Sequence, residues 1–289
     1  MAKKKPYQRA ERQRQAQRQA DQEAHRRQRT VVAVTAAVSV LVVIGVVVLL
    51  AVRGGNNNTP AASQPSSSPS ATTPAAPDKP ASIPTAIAPA PKRPTPLPAS
   101  VSCTYKKAAE PAAKKVNPPA NGKVTTTGKQ NVLLDTPVGK INITVDKALA
   151  PCAVNSFVSL AKQKYFDKTI CHRMTVAAGL QVLQCGDPTG TGSGGPGYSF
   201  NDEVWPTLKY GRSYVAMANA GANTNGSQFF IVYGDASALQ PNYTVFGTVD
   251  AASLAVIDNV AKAGVTSQQP GSGDGKPVMQ VTIKTATVS

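Results

Sequence analysis

The sequence predicts a mainly β domain in its carboxyl-terminal part, preceded by a membrane-spanning helix and a disordered linker. Three observations support this prediction: short apolar runs separated by turn residues after residue 124, one uncharged apolar run at 31–52, and a Pro-rich stretch between them. Many short strands with turn signals, together with two helical segments, favour a closed or nearly closed β-barrel capped by helices.

The positive charge is concentrated outside the predicted domain. Residues 1–30 hold ten Lys or Arg against three acids, and residues 53–123 hold nine against two. Residues 124–289 hold twelve against ten, so the domain is nearly neutral. A nucleic-acid-binding domain needs a basic face of its own, so we expect no nucleic-acid partner. We interpret residues 1–30 as a basic cytoplasmic tail that contacts anionic lipid headgroups.

The run at 31–52, VVAVTAAVSVLVVIGVVVLLAV, contains no charged residue and is long enough to span a bilayer as a helix. A cleaved signal peptide is the alternative. However, its apolar core is usually only about 7–15 residues long, and no clear A-x-A site follows this run. We therefore favour an uncleaved signal-anchor in the cell membrane. Because the Lys/Arg excess precedes the run, the amino terminus is predicted to be cytoplasmic and the domain extracytoplasmic.

Residues 53–123 are predicted to form a linker. Twelve of the chain's 24 prolines lie within 53–100, among Ser, Thr and Ala. Such a stretch buries too little apolar surface to offset the entropy lost on ordering. Pro-rich segments favour the extended polyproline II conformation, which here predicts a semi-rigid stalk. Residues 101–123 are transitional, and Cys103 is positioned to tie them to the domain.

All four cysteines follow the apolar run: Cys103, Cys152, Cys171 and Cys185. No CxxC pair or Cys/His cluster has the spacing of a zinc site, so we expect neither a metal nor another cofactor. Outside the cytoplasm these cysteines are expected to form disulfides. Four cysteines allow three pairings, and the sequence leaves that choice open.

The domain, residues 124–289, begins with a strand–turn–strand pattern. Apolar residues at 132–134 and 141–145 flank the turn residues 135–139. Pro151 then opens a helix, and a second short helix begins near Ser253. The remaining strands are expected near 170–174, 181–185, 213–217, 228–232, 245–249 and 279–284.

Arg173 is one of two arginines in the predicted domain, and it lies in a strand-like stretch at 169–174. Side chains alternate along a strand, so Arg173 and its neighbour His172 point to opposite faces. If Arg173 faces a groove, His172 is a core residue with no catalytic part. The glycine-rich stretch 190–197 lacks the order of a phosphate-binding loop and is interpreted as a surface loop.

The stretch 216–232, AMANAGANTNGSQFFIV, contains an Asn225-Gly226 turn signal followed by a strand. Gln228 and Phe230 lie on one face of that strand, so an amide stands beside an aromatic ring. The spacing alone does not distinguish a binding surface from an ordinary amphipathic strand.

Five segments occur in the order and near the spacing seen in the cyclophilins. They are Cys171-His172-Arg173, 182–187 (VLQCGD), 217–221 (MANAG), 225–231 (NGSQFFI) and Val245-Phe246-Gly247. Over about residues 128–285 the chain therefore resembles a bacterial cyclophilin. The resemblance implies an eight-stranded antiparallel β-barrel capped by two α-helices.

The same resemblance implies peptidyl-prolyl cis–trans isomerase (rotamase) activity on Pro-containing polypeptides, without a cofactor. It implies that Arg173 is catalytic and that Gln184 orients it. The substrate-binding residues that it implies are Val182, Phe230 and Leu239 around the proline, Gln228 and the backbone of Asn219 along the substrate strand, and Ala218 and Ser193 in a neighbouring groove. Gln181 and Tyr243 complete the predicted substrate-binding set. We expect a monomer.

The sequence departs from the family pattern at three places. The loop between Arg173 and Gln184 is about three residues longer, and Gln181 stands where an aromatic wall residue is usual. The usual tryptophan and histidine of the cyclosporin-contacting region fall on Ala238 and Tyr243. We therefore expect cyclosporin to bind weakly.

Two other functions remain open at this point. A cyclophilin-like module that binds Pro-containing segments with little catalysis is consistent with a polar Gln181 in the pocket wall. An envelope protein whose stalk and basic tail do the work would not need residues 124–289 at all.

Overall fold

The structure, a computed structural model, describes residues 76–267 and 269–289. The basic tail, the apolar run at 31–52 and the first part of the linker lie outside these residues, so their assignments stay predictions. Among the residues described, no helix has both the length and the apolar character needed to cross a membrane.

The described residues form short strands and two helices, as the sequence predicts. The strands before the first helix are β1 Ser100–Cys103, β2 Lys106–Lys107, β3 Gly122–Thr125, β4 Lys129–Thr136 and β5 Gly139–Asp146. The helices are α1 Pro151–Lys162 and α2 Ala251–Ala263. Between them lie β6 Thr169–Ile170, β7 Arg173–Thr175, β8 Val182–Cys185, β9 Tyr198–Ser199, β10 Tyr214–Met217, β11 Phe229–Val232 and β12 Val245–Val249. After α2 come β13 Val265–Ser267, β14 Asp274–Pro277, β15 Thr282–Ile283 and β16 Thr285–Val288.

Ten strands form one antiparallel sheet in the order β13-β14-β7-β8-β11-β10-β12-β5-β4-β16. The hairpin of β4 and β5 is paired without interruption from Lys129 opposite Asp146 to Thr136 opposite Gly139. Alternate residues of both strands are buried, including Val132. This period-two pattern of burial is what the apolar residues of the sequence predict for a sheet with one face on the core.

The expected closed barrel of eight strands does not form as one continuous ladder in the described part of the chain. The ten-stranded sheet is open, with β13 and β16 at its edges. A separate ladder of two residues pairs β6 with β15. Because β6 leads into β7 and β15 leads into β16, this short ladder links the β7 part of the sheet to the β16 edge. Residues 171–172 and Lys284 interrupt the pairing between the ladder and the sheet. The hairpin of β13 and β14, which the sequence analysis misses, adds two strands beyond the expected eight.

Helix α1 packs on the core through one face. The ring of Phe157 lies 5.0–5.1 Å, centroid to centroid, from those of Phe166, Phe229 and Phe246. Aromatic pairs at this separation add about 0.5–1.5 kcal/mol beyond the area that they bury. These ring contacts fix β11 and β12 beneath the helix.

In the first turn of each helix, a carboxylate accepts hydrogen bonds from backbone N–H groups. Asp250 caps α2 by accepting the N–H of Ser253 at 2.8 Å. Helix α1 has no side-chain cap of its own. Instead, Glu203 accepts the N–H groups of Cys152 (3.1 Å) and Ala153 (2.8 Å). Burial raises the pKa of Glu203 to about 7, although these donors oppose the rise.

Residues 76–123 pack against the domain, which differs from the disordered linker predicted for them. Strand β1 pairs with β3 within this segment, and β2 pairs with β9 of the domain. Lys114 Nζ donates to the backbone carbonyls of Lys164 (2.6 Å) and Asp167 (3.0 Å). Specific contacts to the domain thus order a segment whose composition alone gives no reason for order.

The structure pairs the four cysteines as Cys103–Cys152 and Cys171–Cys185. The first bond fixes β1 to the start of α1, as the position of Cys103 predicts. The second joins the residue before His172 to the end of β8. Both therefore belong to the framework of the described domain.

Candidate active site

Arg173 and Gln184 face each other across the pair β7 and β8. Arg173 Nη1 donates to Oε1 of Gln184 at 2.9 Å. Gln184 Nε2 in turn donates to Oε1 of Gln228 at 2.9 Å. Gln228 Nε2 donates to the carbonyl oxygens of Gly192 (2.8 Å) and Gly194 (3.0 Å), in the glycine-rich loop. The resemblance assigns Gln184 to orienting the arginine, and this chain of hydrogen bonds places it there.

Asp274 is a partner of Arg173 that the sequence analysis misses. Its two carboxylate oxygens accept from Arg173 Nε (2.8 Å) and Nη2 (2.7 Å), which gives a bidentate ion pair. Asp274 opens β14, where it pairs with Thr175 of β7. The sequence signal that could have pointed to Asp274 is that it is the one acidic residue after Asp258.

Three of the five N–H donors of Arg173 are used by Asp274 and Gln184, which leaves two. The Arg173 side chain is 36% exposed, so these donors remain accessible. A guanidinium fixed on both sides keeps its charge and its planar geometry. The site therefore presents an oriented hydrogen-bond donor at the surface of the sheet.

A pocket of about 240 Å³, lined by both apolar and polar side chains, lies beside this donor. Six of the predicted substrate-binding residues line it together with Arg173 and Gln184: Val182, Ala218, Asn219, Phe230, Leu239 and Tyr243. The Phe230 and Tyr243 rings meet edge to face at 5.5 Å. Tyr210, which the sequence analysis misses, holds this wall by donating its hydroxyl to Tyr243 O and accepting from Tyr243 N, both at 2.8 Å.

Gln181 does not line this pocket, contrary to its predicted place in the wall. It is 3% exposed, and its Nε2 donates to the carbonyl oxygen of Ser82 at 2.8 Å. Its Oε1 accepts the N–H of Asp235 at 2.7 Å. Leu180 lines the pocket instead. Because both ends of the Gln181 amide are held by Ser82 and Asp235, its side chain is kept away from the pocket.

A second cleft of about 720 Å³ extends from Gln184 and Gln228 along the glycine-rich loop. Ser193, Ala218 and Asn219 line it, as the resemblance implies for the neighbouring groove. Residues 107–111, which lie before the predicted domain, form a further part of its wall. The cleft and the pocket beside Arg173 share Gln184, Ala218 and Asn219, so they adjoin each other.

His172 is a buried residue, as the alternation of the strand predicts. It is 7% exposed, and burial lowers its pKa, so the ring stays neutral at neutral pH. Within the described residues neither ring nitrogen has a hydrogen-bond partner. His172 is absent from the lining of the 240 Å³ pocket, although it lines a separate cleft on the Asp274 side of Arg173.

Comparison with known proteins identifies the fold family. The family model "Cyclophilin type peptidyl-prolyl cis-trans isomerase/CLD" matches residues 131–288. A probable peptidyl-prolyl cis–trans isomerase B of Mycobacterium leprae is 48% identical over 197 residues, which are 64% of this chain and 65% of that protein. The Mycobacterium tuberculosis protein described in the same words is 48% identical over 196 residues, 63% of this chain and 62% of that protein. The match thus spans less than two thirds of either relative.

A solved cyclophilin type isomerase from Cryptosporidium parvum is 33% identical, with a TM-score of 0.47, and covers 56% of this chain and 98% of its own. The family match covers more than half of the 289 residues and includes the ion-paired arginine, its glutamine and the pocket residues. The chain therefore belongs to the family of cyclophilin type peptidyl-prolyl cis–trans isomerases.

Proposed function

We propose that the chain is a peptidyl-prolyl cis–trans isomerase that accelerates the folding of exported proteins by twisting X–Pro bonds. The observation that carries the proposal is Arg173, fixed by Asp274 and Gln184 with two donors unused, beside a pocket with one apolar wall. Val182, Phe230 and Leu239 bind the proline ring, and Gln228 and the backbone of Asn219 hold the substrate strand.

Catalysis of rotation about an X–Pro bond needs only binding of the peptide and one hydrogen bond to it. Rotation has a barrier of about 18–20 kcal/mol, because it breaks the resonance of the C–N bond. The two isomers differ by only about 0.5–1 kcal/mol, so the reaction is slow but nearly balanced. In the twisted state a lone pair develops on the prolyl nitrogen. A donor aimed at that nitrogen binds the twisted state more tightly than the planar one, and this difference lowers the barrier.

The position of Gln181 weakens the case for a non-catalytic binding module, which depends on a polar wall in the proline pocket. Leu180 provides an apolar wall there, and Gln181 is engaged by Ser82 and Asp235. Leu180, Val182, Phe230 and Leu239 thus give the pocket beside Arg173 an apolar wall.

The test of the proposed function is a cis-to-trans isomerisation assay with an Ala-Pro peptide and the full-length chain. We expect the first-order relaxation to speed up in proportion to protein concentration. A chain that binds the peptide but leaves the relaxation at its uncatalysed rate would support the binding module instead.

Cyclosporin is expected to inhibit this assay only weakly. Ala238, which is exposed, and Tyr243 occupy the positions of two usual contact residues. Loss of one aromatic anchor from an interface typically costs about 2 kcal/mol or more, a factor of about 30 in affinity. Inhibition by nanomolar cyclosporin contradicts this expectation.

We also propose that the run at 31–52 anchors the chain in the cell membrane, with the isomerase domain outside the cytoplasm. The Lys/Arg excess before the run supports this orientation. The pairing of all four cysteines supports an oxidising compartment. A reporter enzyme that is active only outside the cytoplasm, fused after residue 60, is expected to be active. An inactive reporter, with a cytoplasmic reporter active at the same position, contradicts this topology.

A further inference from the structure

Residues 76–84, here called the leading segment, lie against two loops that flank the active site. One is the loop 176–181, which leads into β8 and the proline pocket. The other is the loop of the β13–β14 hairpin, which ends at Asp274. A cleft of about 510 Å³ remains between the leading segment and both loops. The segment packs on the core through Ile83 and contacts the two loops through hydrogen bonds.

Asp78 makes most of these bonds on the hairpin side. Its backbone pairs with Val265 of β13 in both directions, at 3.0 and 2.8 Å. The close approach needs a glycine at position 264, since a Cβ there would lie 2.5 Å from the Asp78 carbonyl oxygen. Gly264 thus leaves the space in which the Asp78 backbone pairs with the first residue of β13.

The Asp78 carboxylate then closes the hairpin loop. It accepts from Ser267 Oγ at 2.7 Å and from the N–H groups of Gly271 and Gly273 at 3.1 Å. The hydrogen bond from Ser267 is the largest cause of a lowered pKa for this carboxyl. The carboxylate is therefore ionised at neutral pH and acts as a charged acceptor for three donors of one hairpin.

The hairpin loop connects directly to the catalytic arginine. Gly273 precedes Asp274, and its carbonyl oxygen accepts the N–H of Val176 at 2.7 Å. Asp274 holds Arg173 by the bidentate ion pair. A shift of the loop at Gly273 would thus shift the carboxylate that orients the guanidinium.

The other end of the leading segment holds the pocket wall. The Ser82 carbonyl oxygen accepts from Gln181, which lies between Leu180 and Val182, both in the proline pocket. Gln181 also exchanges backbone hydrogen bonds with Asp235 (2.7 Å) and Tyr233 (3.1 Å). The leading segment thus contacts the supports of both the donor and the pocket.

We propose that the leading segment is a positioning element of the active site, in which Asp78 fixes the hairpin loop that presents Asp274 to Arg173. This proposal rests on the proposed isomerase function. Asp78 is a positioning residue, because it acts through Asp274 and touches neither the pocket nor a substrate bound there. The isomerase of this chain accordingly includes residues that lie about fifty positions before the family match.

The test is a double-mutant cycle in the full-length chain. Asp78→Ala is expected to lower kcat about tenfold and to change KM by less than about twofold, because small misplacements of a catalytic group have effects of this order or larger. In an Asp274→Ala background the same change is expected to have less than about a twofold effect, since coupled residues are not additive. Lys79→Ala, at the exposed neighbouring position, is the matched control and is expected to keep the parent kcat.

A second readout does not depend on activity. The Arg173 Nε–H group donates to Asp274, so its NMR signal reports the ion pair. We expect faster solvent exchange of this proton in Asp78→Ala and an intermediate rate in Asp78→Asn, which keeps one acceptor oxygen. If Asp78→Ala folds poorly, Asp78→Asn replaces it in the double-mutant cycle. Unchanged exchange and kcat, or effects that add in the double variant, overturn the proposal. If the parent chain does not isomerise prolyl bonds, the proposed function fails, and the exchange rate alone decides on positioning.

Discussion

Arg173→Ala is expected to lower kcat/KM for prolyl isomerisation about 100- to 1000-fold. The variant removes the donor that binds the twisted prolyl nitrogen, and loss of one oriented donor to a transition state costs about 2.7–4 kcal/mol. Peptide binding should change little, because the apolar wall of the pocket, which includes Val182, Phe230 and Leu239, is kept. The loss is therefore expected in kcat rather than in KM.

Folding stability should be almost unchanged in this variant. The side chains of Arg173 and Asp274 are 36% and 43% exposed, and such surface ion pairs contribute about 0–1 kcal/mol. Urea unfolding of the parent and the variant checks this directly. Arg173→Lys, which keeps the charge but loses the planar fork, is the graded control and should fall between them. If Arg173→Ala retains turnover within about threefold of the parent, Arg173 is not the catalytic residue.

Removal of the Cys103–Cys152 disulfide is expected to have the largest effect on stability. The bond spans 49 residues of sequence, and restricting an unfolded loop of that length corresponds to about 4 kcal/mol. Cys103 is 1% exposed and lies in the core cluster, so both the loop and the packing of β1 depend on this bond. Cys103→Ser/Cys152→Ser should show a correspondingly lower free energy of unfolding in urea.

Cys171→Ser/Cys185→Ser provides the comparison for this effect. That bond spans only 14 residues, and the same relation gives about 3 kcal/mol. It also lies beside Arg173 and Gln184, so this variant is expected to lose activity as well as stability. The Cys103/Cys152 variant should keep its kcat while folded. Equal stability of the Cys103/Cys152 variant and the parent under oxidising conditions contradicts the predicted role of this disulfide.

The strands and helices of the domain are predictable because burial follows local periodicity. The hairpin of β4 and β5 and helix α1 lie where alternating and helical apolar spacing places them. Strand β11 is an uninterrupted apolar run and is buried at every position. The β13–β14 hairpin is missed because residues 264–277 contain few apolar side chains. Its strands are held by pairing with β7 and by Asp78, which no local pattern reveals.

The order of residues 76–123 is not predictable from composition for a similar reason. Proline and small polar residues predict a stalk, because they bury little apolar surface. In the structure the segment is held by contacts that are distant in sequence, such as Cys103 with Cys152 and Arg93 with Leu149 and Glu203. These depend on the folded domain, so they appear only when the tertiary structure is known.

The active site is predictable where the family motifs are continuous and not where the loops are longer. Arg173, Gln184 and Phe230 lie in such motifs, and the structure brings them together. Gln181 is misplaced by its register in the longer loop, and Leu180 takes the wall position. Asp274 lies far along the chain in the hairpin that the sequence analysis misses, so its pairing with Arg173 depends on the fold.

The central claim is that Arg173 lowers the rotational barrier of a prolyl bond held in the adjoining pocket. Exchange NMR spectroscopy on an Ala-Pro peptide with the full-length chain measures isomerisation on the protein separately from binding. We predict cis–trans exchange cross-peaks with the parent chain, and their loss with Arg173→Ala at matched peptide saturation. Exchange that persists undiminished in Arg173→Ala, with the peptide still bound, would contradict the claim.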